Sequence, residues 1–174
     1  MSILIMNAFV FGLLMSLLLT VLMGGSFLVA PDMWLRSYPP DIKARFGEMT
    51  EKAKRLRAPI AATFFGVILI LAGASLVRLQ IQLGGSAGML QFALSLFLSL
   101  MVFNLFDLLI LDWLFFTRLT IKPFILPGTE GMAGYDDYGF HARAFLRGTL
   151  ICAVAAIAMG ALAAGIQLLL QQLL

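Results

Sequence analysis

The sequence predicts an all-α fold, an integral membrane four-helix bundle with an amphipathic helix at the cytoplasmic interface. Two observations support this prediction. Hydrophobic residues make up 61% of the chain and charged residues 12%, whereas soluble domains average about 45–50% apolar and about 25% charged. The charges are also clustered, which leaves long uncharged runs of the kind that span lipid. This composition excludes an ordinary soluble globular protein.

The apolar runs predict four spans within a single transmembrane domain, residues 1–174. A span needs about 20 residues, and each run is of about that length or longer. The first run lacks the basic start and the small-residue cleavage site of a secretory signal, so we expect it to be a permanent span. The predicted spans cover about 3–30, 59–77, 89–116 and 149–174.

Basic residues predict the orientation of the chain. The connection 31–58 carries seven Lys or Arg and the connection 117–148 carries four, whereas the segment between spans two and three carries only Arg78. Both long connections are therefore expected in the cytoplasm and both termini outside. The same charge predicts membrane lipids, which include anionic species, as partners. Nucleic acid is not expected, because no aromatic-basic binding motif accompanies the charge.

The first connection predicts the amphipathic helix. Pro39 and Pro40 break the chain, and Asp41 is suited to begin a new helix. Apolar residues then recur at intervals of three or four, which describes one stripe along a helix that is otherwise charged. The stripe consists of Ile42, Phe46, Met49, Ala53 and Leu56. This helix is expected to bind lipid headgroups, to dock a partner or to act as a solvated linker.

The second connection gathers polar residues within a turn-rich segment. His141 is the only histidine of the chain, and Asp137 precedes it by four residues, so the two share a face if this piece is helical. A histidine beside carboxylates could act as a general base or a metal ligand. The alternative is a hydrogen-bonded loop residue. Because no ligand spacing typical of metal sites is present, we predict no metal and no cofactor.

Span three contains two aspartates that need an explanation. With Phe116 as the inner end of the hydrocarbon stretch, Asp112 is roughly 6 Å deep and Asp107 roughly 13–14 Å deep, near the bilayer midplane. We expect Asp112 to form an ion pair at the cytoplasmic boundary with a basic side chain that snorkels to it. The expected partners are Arg118, Lys122, Arg36 and Arg57.

Asp107 has no basic residue of another span at its depth. An ionised carboxylate buried without a partner is costly, so we expect Asp107 to stay protonated at neutral pH or to face a wet cavity. Intramembrane acids are functional candidates, although a structural hydrogen bond is an equal alternative. On a straight α-helix Asp107 and Asp112 lie about 140° apart with Asn104 between them, so they are not expected to hold one ion together. They could instead line one wide polar face along a groove between helices.

Small residues repeat on spans two and four at the spacing that allows helices to pack closely. Gly160 on span four is one of them. The pattern leaves open whether span four meets its own chain or a second copy. The repeats are Ala62 and Gly66, Ala156, Gly160 and Ala164, and Ala161 and Gly165.

Four blocks carry a resemblance to known proteins: MWLRSYPPDI, NLFDLLILDWL, PGTEG and YDDYGFHARAFLRG. In these blocks the chain resembles an uncharacterised family of small bacterial four-helix integral membrane proteins. The resemblance covers most of the chain, with spans two and four alike only in hydrophobic character. It implies a location in the bacterial cytoplasmic membrane and blocks that act together, and it supplies no known activity.

These observations predict a polar site at the cytoplasmic face. Candidate catalytic residues are Asp107, Asp112, Glu130, Asp137 and His141, and candidate binding residues are Asn104, Trp34, Tyr38, Tyr135 and Tyr138.

Three functions are open. The lack of a recognisable catalytic triad, phosphate loop or metal motif favours a non-enzymatic accessory or scaffold component, in a homo-oligomer or a larger membrane complex. The alternatives are an enzyme that acts on a lipid or isoprenoid, and an oligomeric proton-coupled carrier or channel in which Asp107 titrates.

Overall fold

The computed structural model of the protein describes residues 1–173. No strand occurs within them, which confirms the all-α prediction. The α-helices are α1 (Ser2–Val29), α2 (Pro40–Phe46), α3 (Glu51–Gln82), α4 (Met89–Phe106) and α5 (Tyr138–Leu173). A π-helix (Asp107–Arg118) follows α4 directly, and short 3-10 helices occupy Pro31–Ser37, Lys122–Phe124 and Ala133–Asp136.

Four helices in the described part of the chain are long and apolar enough to cross a membrane, as predicted. They are Ser2–Val29, Glu51–Gln82, Met89–Arg118 and Tyr138–Leu173. The second and fourth extend beyond the predicted spans, because their charged or polar ends continue the same helix. The predicted spans ended where the uncharged residues end. Charged residues such as Lys, Arg and Glu are good helix formers, so the helices continue through them.

The residues divide into two compact units. The first comprises 1–16, 68–105 and 146–173, and the second comprises Leu17–Val67 and Phe106–Phe145. The boundaries fall inside long helices.

The first unit packs apolar helices around a core that includes Met15, Leu79, Leu96 and Ala156. The Asn7 amide is fully buried there and donates to the Ser75 carbonyl (3.1 Å), the Ser75 hydroxyl (2.9 Å) and the Ser95 hydroxyl (3.1 Å). Interhelical hydrogen bonds of this kind stabilise helix contacts in an apolar medium.

Gly160 lets α5 approach α4 closely in the first unit. A Cβ added at Gly160 would lie 2.7 Å from the Ala93 backbone nitrogen. A Cβ added at Gly165 or Gly66 would have no described atom within 4 Å apart from its chain neighbours and the nearby backbone of its own helix. The small residue at 160 therefore serves a contact within the chain, which the sequence pattern left open.

The second unit joins the two long connections through hydrogen bonds. The Tyr38 hydroxyl donates to the Phe124 carbonyl (2.8 Å), and the Gly134 amide donates to the Asp41 carboxylate (2.8 Å). The Arg45 guanidinium donates to the Gly128 carbonyl (3.2 Å). An aromatic and aliphatic core fills the space between these contacts and includes Phe27, Tyr38, Ile42, Phe116, Leu126 and Tyr135.

The single amphipathic helix predicted from Asp41 onward is wrong. The chain leaves α2 at Gly47, whose φ of +85° favours glycine, and α3 begins at Glu51. The Asp32 carboxylate accepts a hydrogen bond from the Thr50 amide (2.6 Å) just before α3. The apolar stripe packs into the protein instead of covering lipid along one helix, since Ile42 and Ala53 are fully buried.

Candidate functional site

The site is built on the π-helix that follows α4. In a π-helix each amide bonds the carbonyl five residues earlier, so the chain turns less per residue than in an α-helix and residues five apart come closer together around the axis. The same spacing continues at its end, where the Leu119 amide bonds the Leu114 carbonyl (2.9 Å). Asp107 and Asp112 are five apart and therefore share one side of the helix. The angle of about 140° assumed a straight α-helix, which this segment is not.

Both aspartates line a cavity of about 50 Å³ in the second unit. His141 completes its polar side, and Ser37 lies at its exposed rim. Because one water takes about 30 Å³ in the liquid, the cavity has room for one or two water-sized groups. The aromatic side consists of Phe27, Trp34, Tyr38, Phe116 and Phe124.

His141 is held by Asp112. The His141 Nδ1 lies 3.0 Å from the Asp112 Oδ1, and the His141 side chain is 4% exposed. The centroid of the Phe116 ring lies 4.9 Å from that of His141. The basic partner of Asp112 is thus this histidine and not one of the predicted arginines or lysines. α5 begins eleven residues before the predicted fourth span, and its first turn places His141 beside Asp112.

The other nitrogen of His141 determines what the site can do. Nε2 is buried and has no hydrogen-bond partner among the described residues. The Asp112 carboxylate contacts Nδ1, so Nε2 is the ring nitrogen that remains for another group. A carboxylate that orients an imidazole in this way is common around histidines that accept a proton or bind a cation.

Tyr38 is a neutral part of the cavity wall. Burial raises the pKa of its hydroxyl above the usual range, and Tyr135 and Asp32 raise it further. The hydroxyl remains protonated and is committed as a donor to the Phe124 carbonyl. Tyr38 therefore contributes mainly its aromatic ring to the cavity wall, because its hydroxyl is bonded to the Phe124 carbonyl.

The remaining candidate residues lie elsewhere. Asp137 accepts a hydrogen bond from the Phe140 amide (2.8 Å) at the start of α5 and pairs with Arg143 at 3.7 Å. Glu130 is exposed and accepts from the Gly128 amide (3.1 Å). The Tyr135 hydroxyl is internal and accepts from the Leu126 amide (3.0 Å).

Two binding candidates also fall outside the cavity. Tyr138 is 42% exposed, with its ring 5.7 Å from that of Trp113. Asn104 belongs to the first unit and donates to the Thr149 hydroxyl (3.2 Å). The structure thus unites Asp107, Asp112, His141, Trp34 and Tyr38 and leaves the other five apart.

Sequence reasoning missed Phe27 and Phe124 as cavity residues. Nothing in the sequence distinguishes these two phenylalanines from the other apolar residues of the chain. No group of three or more His, Cys, Asp or Glu side chains within residues 1–173 is placed to hold a metal ion.

Comparison of the chain with protein-family models, with curated proteins and with solved structures gives no match.

Proposed function

We propose that this chain is a multi-pass protein of the bacterial cytoplasmic membrane that works as a non-enzymatic accessory or scaffold component. Its two basic connections lie in the cytoplasm and form a docking platform, here defined as residues 31–58 and 119–137. The observation that carries the proposal is that these connections fold against each other into one ordered unit.

The outward side chains of the long helices support the membrane location. On α5, Leu150, Ile151 and Val154 are each 69% exposed, and Leu162 is 65% exposed. A contiguous apolar surface of this kind is unfavourable in water and is normally covered by lipid or by another protein.

The internal order of the platform supports a docking role. Ordering a backbone costs about 1–2 kcal/mol per residue, so a connection that only joins two spans gains nothing from a fixed structure. Here three hydrogen bonds between the connections, from Tyr38, Arg45 and Gly134, hold the segments in place. Exposed basic side chains then project from a surface of fixed shape, including Arg36, Arg45, Lys52, Arg55 and Lys122.

The resemblance supports the same proposal. All four blocks lie in the second unit over most of their length: residues 33–42, 127–131, 106–114 of the third-span block and 135–145 of the last block. The last block also supplies His141 and the start of α5. Blocks that act together are expected to lie together.

Affinity purification in mild detergent, followed by identification of bound proteins, tests the proposal. We expect a stable partner that is lost from an Arg36→Ala, Arg45→Ala double variant. The matched control is Arg78→Ala, a basic residue outside the platform, which should retain the partner. A chain that purifies alone at native expression level, or a partner that survives the double variant, would contradict the proposal.

A second candidate function is an oligomeric proton-coupled carrier or channel. The observation that favours it is the grouping of Asp107, Asp112 and His141 on one cavity. Flux measured in proteoliposomes should then vanish in Asp107→Asn while expression is unchanged. This cavity does not favour an enzyme that acts on a lipid or isoprenoid, because about 50 Å³ is small for a lipid headgroup.

A further inference from the structure

The first unit contains a groove that its own side chains leave open. The groove has a volume of about 550 Å³ and is lined by the last turns of α3, the start of α4 and the last part of α5. Gly73 and Ala163 line it where larger side chains would fill the space. A Cβ added at Gly73 would have no described atom within 4 Å apart from its chain neighbours and the nearby backbone of its own helix. The groove therefore offers a place where another molecule can pack.

Glutamine side chains hold one end of the groove in shape. The Gln80 amide donates to the Gly85 carbonyl (2.8 Å), and the Gln167 amide donates to the same oxygen (3.2 Å). These bonds tie α3, the turn that follows it and α5 together, so this end of the groove is preformed. Gln171, one turn further along α5, lines the same end and is exposed.

The remainder of the lining is apolar. Leu76, Ile81, Phe92 and Ile166 contribute to the walls, and none of the described residues that line the groove is charged. Wall atoms that face an empty space lose their packing contacts, and apolar walls give water no hydrogen-bond partners. A hydrocarbon is therefore the occupant that most of the groove favours.

The length of the groove matches one lipid chain. From Gly73 to Ile81 on α3, and from Ala163 to Gln171 on α5, the helix advances eight residues, or roughly 12 Å. One leaflet contributes about 15 Å to a hydrocarbon core of about 30 Å. The glutamines lie near the ends of α3 and α5, where the proposed spans leave the membrane, so they are placed at the level of lipid head groups.

A helix of a second copy fits the groove less well. A helix with side chains is about 10 Å wide, so a 12 Å length of it occupies roughly 900 Å³, which is more than the groove holds. A single hydrocarbon chain is narrower and can follow the groove along its length.

We propose that this groove binds one acyl chain of a membrane glycerophospholipid. The chain end lies between Gly73 and Ala163, and the head group lies beside Gln167 and Gln171, whose amides donate hydrogen bonds to its ester or phosphate oxygens. The inference goes beyond the docking role, and it rests on the membrane location proposed above but not on any partner protein.

Photo-crosslinking tests the site in the full-length protein reconstituted into phosphatidylcholine vesicles. A small fraction of the lipid carries a diazirine in one acyl chain, either near the chain end or near the ester, and mass spectrometry maps the adducts after illumination. Leu162 and Leu169 serve as the reference face for bulk lipid. They are 65% and 61% exposed, lie outside the groove and directly precede the groove residues Ala163 and Leu170 on α5, so their depth is matched.

We expect more adducts in the groove than on the reference face. The chain-end probe should react mainly near Leu76 and the ester probe mainly near Gln171. Equal labelling of the groove and the reference face, or the reverse order of the two probes, would overturn the proposal. A groove that is labelled less than the reference face, in a chain that crosslinks to itself, would assign the groove to a second copy instead.

A substitution that fills the groove separates bound lipid from bulk lipid. Gly73→Leu should reduce the groove adducts to the level of the reference face. The matched control is Gly66→Leu, which places the same side chain on α3 in equally open surroundings outside the groove and should leave the adducts unchanged. Ala163→Leu fills the groove from α5 and should give the same loss, which covers a Gly73→Leu variant that fails to fold. Adducts that survive both substitutions would overturn the site.

The reference face also separates this inference from the proposed function. If Leu162 and Leu169 remain unlabelled, the membrane location is wrong and the lipid site with it. If they are labelled and the groove is not enriched, only the lipid site is wrong. No partner protein takes part in the measurement, so the co-purification result stands or falls independently.

Discussion

His141 and Asp112 together explain why a histidine occurs inside an apolar unit. The imidazole is nearly fully buried, and the Asp112 side chain is 26% exposed, so the pair sits where water reaches only one partner. If either side chain is removed, the other is left with an unsatisfied polar atom, which is costly in a buried place.

A double-mutant cycle measures this pair. We expect Asp112→Asn and His141→Gln each to lower the free energy of unfolding by about 1–3 kcal/mol. The double variant should lose less than the sum of the single losses, with a coupling energy of about 0.5–3 kcal/mol. Denaturant titration in detergent provides the values. Additive losses would show that the pair contributes no interaction of its own.

Because the pKa of the Tyr38 hydroxyl is raised in the folded chain, we expect the protein to lose stability in alkali. Burial raises the pKa of its hydroxyl in the folded chain above the value of about 10 expected in the unfolded chain. Below pH 10 both states are protonated and the full contribution is present. Above it the unfolded state releases the proton first, so stability falls as pH rises.

Melting in detergent between pH 8 and pH 11 checks this expectation. Tyr38→Phe should be less stable than the parent at pH 8 by about 1 kcal/mol, because the bond to the Phe124 carbonyl is lost. Its further decline in alkali should be smaller than that of the parent. Identical declines in the two proteins would rule out Tyr38 as the responsible group.

At the scale of helices, two glycines of α5, Gly160 and Gly165, are expected to differ in how much a substitution affects stability. At Gly160 a methyl group would meet the backbone of Ala93, and such overpacking costs about 1–3 kcal/mol. Gly165, on the same helix, has open space around it.

The expected result is that Gly160→Ala is destabilised, whereas Gly165→Ala is unchanged or gains about 0.5–1 kcal/mol from helix propensity. Thermal unfolding monitored by circular dichroism compares the two. Equal effects would show that Gly160 is not the point of closest approach.

The existence of the long helices could be predicted from sequence, but their ends and their type could not. Apolar runs identify spans because composition decides burial in lipid. The break at Gly47 depends on a backbone conformation that composition does not report, and the same stripe of residues fits one helix or two. The π-helix depends on how span three packs, and with it the shared side of Asp107 and Asp112.

The site was predicted only in part for a related reason. Acids in an apolar span are conspicuous by themselves, so Asp107, Asp112 and His141 could be singled out. The pairing of Asp112 with His141 joins separate helices, and the wall residues Phe27 and Phe124 look like any other apolar residues until the chain is folded.

For the whole molecule, the orientation in the membrane is directly testable. In a Cys152→Ala background, Glu48→Cys places a thiol on the exposed part of the first connection, and Ser86→Cys places one between α3 and α4. A membrane-impermeant maleimide should label the Ser86→Cys variant in intact cells and the Glu48→Cys variant only after permeabilisation. The opposite pattern would move the platform to the outer face and exclude a cytoplasmic partner.

Positive charge is unevenly distributed along the chain. Eleven of the twelve basic residues lie in the two predicted connections, 31–58 and 117–148, and eight of them lie in the platform. A surface with this much positive charge attracts anionic lipid by about 1 kcal/mol for each basic residue near the bilayer.

The chain contains one histidine, and it lies in the cavity wall. With isotope-labelled histidine, a nitrogen NMR spectrum of the protein therefore contains a single imidazole, whose two resonances report its tautomer and charge without any mutation. The imidazole resonances of a polyhistidine tag would overlap with those of His141. The protein therefore has to be purified with a different tag for this experiment.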